Sequence, residues 1–142
     1  MQGLLLVAAQ FALIGWLIWP FTPQPWSPPA MLLAGAALVL GVWTLAHNRP
    51  GNFNIRPEPK ASARLVTSGP YRFMRHPMYS ALLLFAAAEV IAYADALKLA
   101  AWLALALVLL CKSVLEERGL AVQFAHYPAY AARVRRLIPW VF

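Results

Sequence analysis

Long runs of apolar residues are separated along this chain by segments of very different length. Four of the runs are long enough to cross a lipid bilayer, at Gly3–Trp19, Ala30–His47, Met78–Tyr93 and Ala96–Leu115. A membrane-spanning helix needs about 20 consecutive apolar residues and tolerates about 17–25. We therefore expect an all-α integral membrane protein with about four transmembrane helices.

The segments between and after the runs predict how the helices connect. The third run is short, and only an Ala94-Asp95 turn separates it from the fourth, which predicts a tight hairpin whose two arms need not both cross completely. The polar, proline-bearing segment Asn48–Thr67 predicts an extended loop. After the fourth run, Pro128 favours the start of a short amphipathic helix that Pro139 would end.

Composition supports a single membrane domain. Hydrophobic residues make up 62% of the 142 residues and charged residues 12%, whereas a typical soluble domain has about 45–50% and about 25%. We expect residues 1–47 to form an N-terminal helix hairpin and residues 48–142 to carry the polar chemistry. The single cysteine, Cys111, excludes an internal disulfide and a cysteine-based metal site.

The positive charge lies almost entirely on one predicted side of the membrane. The net charge is +7, and every Lys and Arg except Lys98 lies between the second and third runs or at and beyond the end of the fourth. Cytoplasmic segments are enriched in Lys and Arg, so we expect both termini to be cytoplasmic, in a bacterial inner membrane. Nucleic-acid binding is disfavoured, because no known recognition module is present.

A first polar cluster, residues 69–79 with the sequence GPYRFMRHPMY, directly precedes and enters the third run. Dense polar chemistry at a membrane boundary is costly unless it is used. Pro77 suits the first position of a helix, and the free amides there, with the helix dipole, attract anions. We expect Arg72 and Arg75 to reinforce that anion site, although anchoring among lipid headgroups explains the two arginines alone more simply.

A second cluster follows the fourth run and comprises Glu116, Glu117, Tyr127, Tyr130 and Arg133. Adjacent residues on a helix point about 100° apart, so one glutamate is expected to face a ligand while the other pairs with a cation or with solvent. A carboxylate can accept two hydrogen bonds from a ribose diol. A solvated helix end is the alternative interpretation of the glutamate pair.

Together the clusters favour a cationic, nucleotide-like cofactor on the cytoplasmic face. S-adenosylmethionine combines an amino-acid group, a ribose diol, an adenine ring and a sulfonium, which suits a site with an anion-binding part, a carboxylate and aromatic rings. The chain has no glycine-rich dinucleotide loop. Methyl transfer from an activated donor needs no nucleophilic serine, cysteine or metal, because alignment and exclusion of water suffice.

Both clusters resemble known signatures. Residues 69–79 resemble the first signature of the isoprenylcysteine carboxyl methyltransferase family and of the related membrane phospholipid methyltransferases. The Glu116-Glu117 pair and the later residues Tyr127, Tyr130 and Arg133 resemble the second signature of that family. The two signatures occur in the expected order.

The resemblance implies a membrane methyltransferase that uses S-adenosylmethionine, with the C-terminal amphipathic helix completing the cofactor pocket. It implies that the cofactor contacts Tyr71, Arg75, His76, Pro77, Tyr79, Glu116, Glu117, Tyr127 and Tyr130. Arg133 and Arg75 are the catalytic residues that it implies, with Arg133 orienting an acceptor carboxylate by a bidentate contact. The acceptor would be a small or lipid-like carboxylate, thiol or amine, and no metal is implied.

Two other functions remain open at this level. Glu89 is an ionisable residue within an apolar run, which favours a proton or cation path and hence a small four-helix transporter. Membrane reductases that use a nicotinamide cofactor share parts of the C-terminal pattern. The sequence leaves the oligomeric state open.

Overall fold

The structure is a computed structural model that describes residues 2–19, 25–48, 52 and 64–142. Across these residues it is entirely helical apart from one isolated backbone bridge, as expected from the apolar runs. The elements are α1 (Gln2–Ile18), α2 (Pro28–His47), a 3₁₀ helix (Gly69–Arg72), α3 (Pro77–Tyr93), α4 (Ala96–Gln123) and α5 (Tyr127–Arg133). Most of the predicted loop Asn48–Thr67 lies outside the described residues, as do residues 20–24.

Two of the described helices, α2 and α4, are long and apolar enough to cross a membrane. Helices α1 and α3 are equally apolar but have 17 residues each. At about 1.5 Å per residue they span about 26 Å, a little less than the roughly 30 Å hydrocarbon core. That α1 and α3 also cross the membrane, which would give four crossings, therefore stays a prediction.

Two helix ends differ from the expected ones. Helix α4 continues to Gln123 instead of ending at Leu115, because the intervening residues contain no proline and are mostly good helix formers. Both glutamates thus lie inside a helix. Helix α5 ends at Arg133, well before Pro139, because the next residues are extended and pair with another segment.

Helices α2 and α3 pack closely through small side chains. The buried residues of α2 are Ala30, Ala37 and Thr44, and those of α3 include Ala81 and Ala88. The seven-residue spacing of these positions is typical of helices that cross at a small left-handed angle. Small residues allow the helix backbones to approach closely where lipid removes the hydrophobic drive for association.

Helix α1 packs against α4, and a lysine of α4 forms hydrogen bonds with the C-terminal end of α1. Leu17 of α1 belongs to a buried cluster with Leu105 and Leu109 of α4. Lys98 Nζ donates hydrogen bonds to the carbonyl oxygens of Leu17 and Trp19. A cation is favourable at the negative, carbonyl-bearing end of a helix, which explains the only basic residue on this side of the predicted membrane.

The hairpin between α3 and α4 has the expected short turn. Ala94 adopts the left-handed conformation with a φ of 50°. Asp95 caps α4, because its side chain accepts a hydrogen bond of 2.6 Å from the amide of Leu97. The turn and cap end one helix and begin the next within two residues.

Residues after α5 run alongside the start of α3. The amide of Arg75 donates to the carbonyl of Arg135 at 2.8 Å, and the amide of His76 donates to the carbonyl of Arg136 at 3.0 Å. The hydroxyl of Ser80 donates to the carbonyl of Leu137 at 2.6 Å. These backbone contacts bring the two sequence clusters together at one end of the helix bundle.

Gly69 is a glycine whose missing side chain the fold requires. Its φ is +58°, and an added Cβ would overlap Cδ2 of His47. The His47 ring is itself fixed, because its Nδ1 lies 2.9 Å from the carbonyl oxygen of Trp43 on the same helix. The 3₁₀ helix therefore begins in direct contact with the end of α2.

We expect Gly69→Ala to lower the free energy of unfolding by about 2 kcal/mol or more, since alanine in this conformation is strained and would displace His47. Gly15→Ala is the matched control, because an added Cβ there meets no atom within 4 Å. The control should be neutral or stabilising by up to about 1 kcal/mol. Thermal unfolding in detergent measures both, and equal unfolding temperatures would contradict the close contact.

Candidate functional site

A small polar cavity of about 90 Å³ lies where the 3₁₀ helix, the start of α3, the second half of α4 and α5 meet. Six of the predicted site residues line it: Tyr71, Arg75, His76, Glu116, Tyr127 and Tyr130. The remaining lining residues were not among the predicted site residues; they are Asn48, Asn52, Arg64, Leu65, Val66 and Leu120. The two sequence clusters thus form one site.

The carboxylate of Glu117 joins three basic side chains beside this cavity. Its Oε1 accepts from Arg75 Nε at 2.8 Å, from His76 Nε2 at 3.0 Å and from Arg136 Nε at 3.1 Å. Its Oε2 accepts from Arg136 Nη2 at 2.8 Å and from Arg75 Nη2 at 3.3 Å. Both arginines are bidentate, the arrangement in which guanidinium–carboxylate pairs are strongest. We call this group the Glu117 cluster.

Arg75 has a second set of contacts. Its Nη1 donates to the carbonyl oxygen of Ala131 at 2.8 Å and to that of Val134. These carbonyls belong to the last turn and end of α5, which a cation stabilises. Near the anion site expected at Pro77, the anion that Arg75 contacts is the carboxylate of Glu117. Arg72, which was expected to reinforce that site, is exposed.

Glu116 has a different environment from Glu117. Its Oε2 accepts a hydrogen bond of 3.0 Å from the hydroxyl of Tyr79 and lies 3.7 Å from Nδ1 of His76. Its side chain is 34% exposed, against 13% for Glu117, and Glu116 lines the cavity while Glu117 does not. Glu116 is therefore the acid that can meet a ligand.

His76 connects the two acids. Its ring offers Nε2 to Glu117 and faces Glu116 with Nδ1, and it stacks on the ring of Tyr79 with centroids 5.3 Å apart. Its own amide is held by Arg136. A hydrogen bond at Nε2 and stacking on one face fix the orientation of the ring, so His76 forms a wall between the cavity and Glu117.

Three tyrosines form the aromatic part of the site. The hydroxyl of Tyr71 accepts from Asn48 Nδ2 at 3.1 Å, and that of Tyr130 donates to the carbonyl of Tyr71 at 2.7 Å. The hydroxyl of Tyr127 is buried, and no described residue hydrogen-bonds to it. A buried polar atom without a partner costs about 1–3 kcal/mol, so Tyr127 offers a ligand an unsatisfied hydrogen-bonding group.

Burial keeps these tyrosines neutral. Desolvation, together with the nearby Glu116 charge, raises the pKa of Tyr71 to about 12 in spite of the opposing hydrogen bond from Asn48. Desolvation is also the main reason that the pKa values of Tyr127 and Tyr130 are raised. The three phenols therefore act as neutral hydrogen-bonding groups at physiological pH.

One side of the cavity is a cover formed by Asn52 and residues 64–66. Asn52 donates to Asn48 Oδ1 at 2.6 Å and to the carbonyl of Arg64 at 3.0 Å. The amide of Arg64 returns a hydrogen bond of 2.7 Å to Asn52 Oδ1. The cover is attached to the end of α2 by side-chain amide contacts alone among those described, which is a weaker attachment than the ion pairs of the Glu117 cluster.

The remaining predicted residues lie outside the cavity. Pro77 is buried at the first position of α3, and Tyr79 contacts the cavity-lining Glu116 through its hydroxyl. Arg133 is exposed, and its Nε donates at 3.3 Å to Ala129 of its own helix. Arg136, which the signature pattern did not single out, occupies the position beside Glu117.

An apolar cavity of about 430 Å³ lies between α3, α4 and the end of the chain. Ser80, Met74 and Leu137 line it close to the Glu117 cluster, and Trp102 lines it further along α4. Arg75 and His76 follow Met74 directly but line the polar cavity, so a single stretch of chain separates the two spaces. Its lining is almost entirely apolar, so its shape and chemistry can accommodate an aliphatic chain.

A model of the phospholipid methyltransferase family matches residues 29–126. The match includes the first cluster and both glutamates, and it leaves out α1 and α5. A search of curated proteins and a search of solved structures each find no match. None of these findings supports the transporter or the reductase, and Glu89 lies buried on α3 at the end away from the cavity.

We expect Glu117→Gln to lower the free energy of unfolding by about 3 kcal/mol, because it leaves Arg75 and Arg136 without their shared counter-charge. Glu116→Gln is the matched control on the adjacent residue, and it should cost about 1 kcal/mol or less. Circular dichroism during heating compares the two variants. Equal destabilisation would show that the Glu117 cluster does not hold the fold together.

We expect the site tyrosines to resist ionisation in the folded protein. A free tyrosine has a pKa of about 10, so between about pH 10 and 12 the folded state retains phenolic protons that the unfolded state has lost. The stability from these groups is fully present below about pH 10 and falls as the pH rises through that window. Phenolate absorbance in folded and denatured protein, with Tyr71→Phe beside wild type, measures this, and identical titration curves would contradict the burial.

Proposed function

The chain belongs to the phospholipid methyltransferase family, and from this premise we propose that it transfers a methyl group from S-adenosylmethionine to a lipid-like acceptor in the membrane. The donor would bind in the polar cavity beside Glu116. The observation that carries the proposal is the buried Tyr127 hydroxyl, which lacks a protein partner among the described residues in a cavity lined by the family's predicted site residues.

The chemistry of the cavity suits this donor. Glu116 can accept two hydrogen bonds from a ribose diol or interact with the donor's positive charge. Asn48 and Asn52 supply amide donors and acceptors, and the ring of Tyr71 gives the adenine a surface for stacking. The Tyr127 hydroxyl would gain the partner that it lacks.

The cavity is too small for the whole donor. Its volume of about 90 Å³ compares with about 300–1,000 Å³ for typical small-molecule pockets. Outward movement of the cover of Asn52 and residues 64–66 would enlarge the cavity for the donor. The few amide contacts that hold this cover make it the part of the site most easily displaced.

The reaction itself asks little of the protein. S-adenosylmethionine supplies a methyl group that is already activated, so the residues of the chain contribute binding, alignment and exclusion of water. Glu116, Tyr71 and Tyr127 would bind and orient the donor. Arg75 and Glu117 would act as positioning residues, because their charges are engaged with each other and with the end of α5.

The acceptor would approach from the bilayer. The apolar cavity beside α3 and α4 can take an aliphatic chain, and its lining near Ser80 and Leu137 adjoins the stretch of chain that borders the donor cavity. The reacting group of the acceptor can be a carboxylate, a thiol or an amine. Exposed Arg133 stays our candidate for binding an anionic acceptor from outside the donor cavity.

Binding of S-adenosylhomocysteine to Tyr127→Phe tests the proposal most sharply. Removing a hydroxyl that has no protein partner should leave the unfolding temperature of the free protein unchanged or slightly higher. The same change should weaken binding about five- to tenfold, because the ligand loses a hydrogen bond. Calorimetry with detergent-purified protein measures the affinity.

Tyr130→Phe is the matched control, because its hydroxyl is already bonded to Tyr71. This variant should lose stability and keep its affinity within about twofold. No saturable binding to the folded wild-type protein would end the methyltransferase proposal. Unchanged affinity in Tyr127→Phe would show that the donor binds elsewhere.

Arg133→Ala separates the acceptor from the donor. We expect this change to raise the KM for an anionic acceptor about tenfold and to leave the affinity for S-adenosylhomocysteine unchanged, since Arg133 lies outside the donor cavity. Steady-state kinetics with varied acceptor measures the first quantity. An unchanged KM for every acceptor would show that Arg133 does not bind the acceptor.

A further inference from the structure

A lysine is buried within the helix bundle one helical turn from Glu116. Lys112 of α4 is 2% exposed, although the sequence analysis placed it with the charges at the end of the fourth run. Its Nζ donates to the side-chain oxygen of Gln10 on α1. The same Nζ lies 5.5 Å from the ring centroid of Tyr79 on α3.

Such a position is costly for a lysine unless its charge is used. Taking an ammonium out of water costs several kcal/mol, which only close partners offset. An apolar residue of similar length would fill the same space in a membrane helix at no such cost. Packing alone therefore does not explain the choice of lysine here.

The partners of Lys112 connect it to the ligand-facing acid. Glu116 follows Lys112 by four residues, so the two side chains lie on one face of α4 and their charges attract. Tyr79, whose ring faces the ammonium, donates its hydroxyl to Glu116 at 3.0 Å. Lys112 thus acts on Glu116 directly through its charge and indirectly through Tyr79.

Helix α1 enters this arrangement through Gln10. Residues 2–18 lie outside the part of the chain that matches the family model, and Gln10 is a polar residue within an otherwise apolar helix segment. Its contact with Lys112 gives α1 a part in the site beyond packing. The N-terminal helix would hold the ammonium at the height of Tyr79 and Glu116.

We propose that Lys112, held by Gln10, is a positioning residue that fixes the orientation of Glu116 for binding of the methyl donor. This inference rests on the proposed function. Lys112 itself does not line the donor cavity. It acts on donor affinity only through Glu116 and Tyr79.

A double-mutant cycle on S-adenosylhomocysteine binding tests this role, because it isolates the interaction between two residues from their separate effects. The four proteins are wild type, Lys112→Met, Glu116→Gln and the double variant, each checked for folding by thermal unfolding. Lys112→Met should weaken binding about tenfold in the wild-type background. In the Glu116→Gln background the same change should have less than about a twofold effect.

Three further variants distinguish charge from shape. Lys112→Arg should restore most of the affinity, because it keeps a cation on α4. Gln10→Leu should weaken binding about threefold, and Gln10→Glu should preserve it, because a carboxylate still accepts from the ammonium. The two Gln10 variants keep Lys112, so they test the inference even if Lys112→Met fails to fold.

The outcomes separate this inference from the proposed function. If the wild-type protein does not bind S-adenosylhomocysteine, the proposed function is wrong, and the inference that rests on it is wrong too. Binding by wild type with equal losses from Lys112→Met in both backgrounds would overturn the inference alone, since Lys112 would then act independently of Glu116. Unchanged affinity in both Lys112→Met and Gln10→Leu would also overturn it.

Discussion

The bidentate contacts of two arginines with the carboxylate of Glu117 are the interaction on which the polar end of this bundle depends. Through them α4 holds the start of α3 by Arg75 and the extended C-terminal segment by Arg136. Arg75 in turn holds the end of α5. Together with the backbone pairing of residues 135 and 136 with the start of α3 and the hydrogen bond from Tyr130 to Tyr71, this partly buried carboxylate holds α5 and its two tyrosines in place.

This arrangement gives two neighbouring glutamates separate tasks. Glu117 forms ion pairs with basic residues of the chain. Glu116 remains partly exposed at the cavity and accepts a hydrogen bond from Tyr79. His76 lies between the two and keeps their environments apart. The two acids thus differ, because Arg75 and Arg136 pair with Glu117 and leave Glu116 to Tyr79 and the cavity.

Much of this could be predicted from local sequence, and the rest depends on contacts between distant residues. The apolar runs gave the helices, and the two signatures named six of the residues around the cavity, because those patterns are local. Arg136 could not be chosen over Arg133, since only the pairing of residues 135–137 with the start of α3 places it beside Glu117. The sequence indicated that Lys112 is a charge at the membrane boundary, because its partner Gln10 lies on the first helix and far away in the sequence.

The most direct test of the account is an experimental structure of the protein with S-adenosylhomocysteine at saturating concentration. The account predicts the ligand in the polar cavity, with its ribose or amino group at Glu116, a hydrogen bond to the Tyr127 hydroxyl, the Asn52 cover displaced and the Glu117 cluster unchanged. Ligand bound away from Glu116, or bound by opening the ion pairs of Glu117, would contradict it.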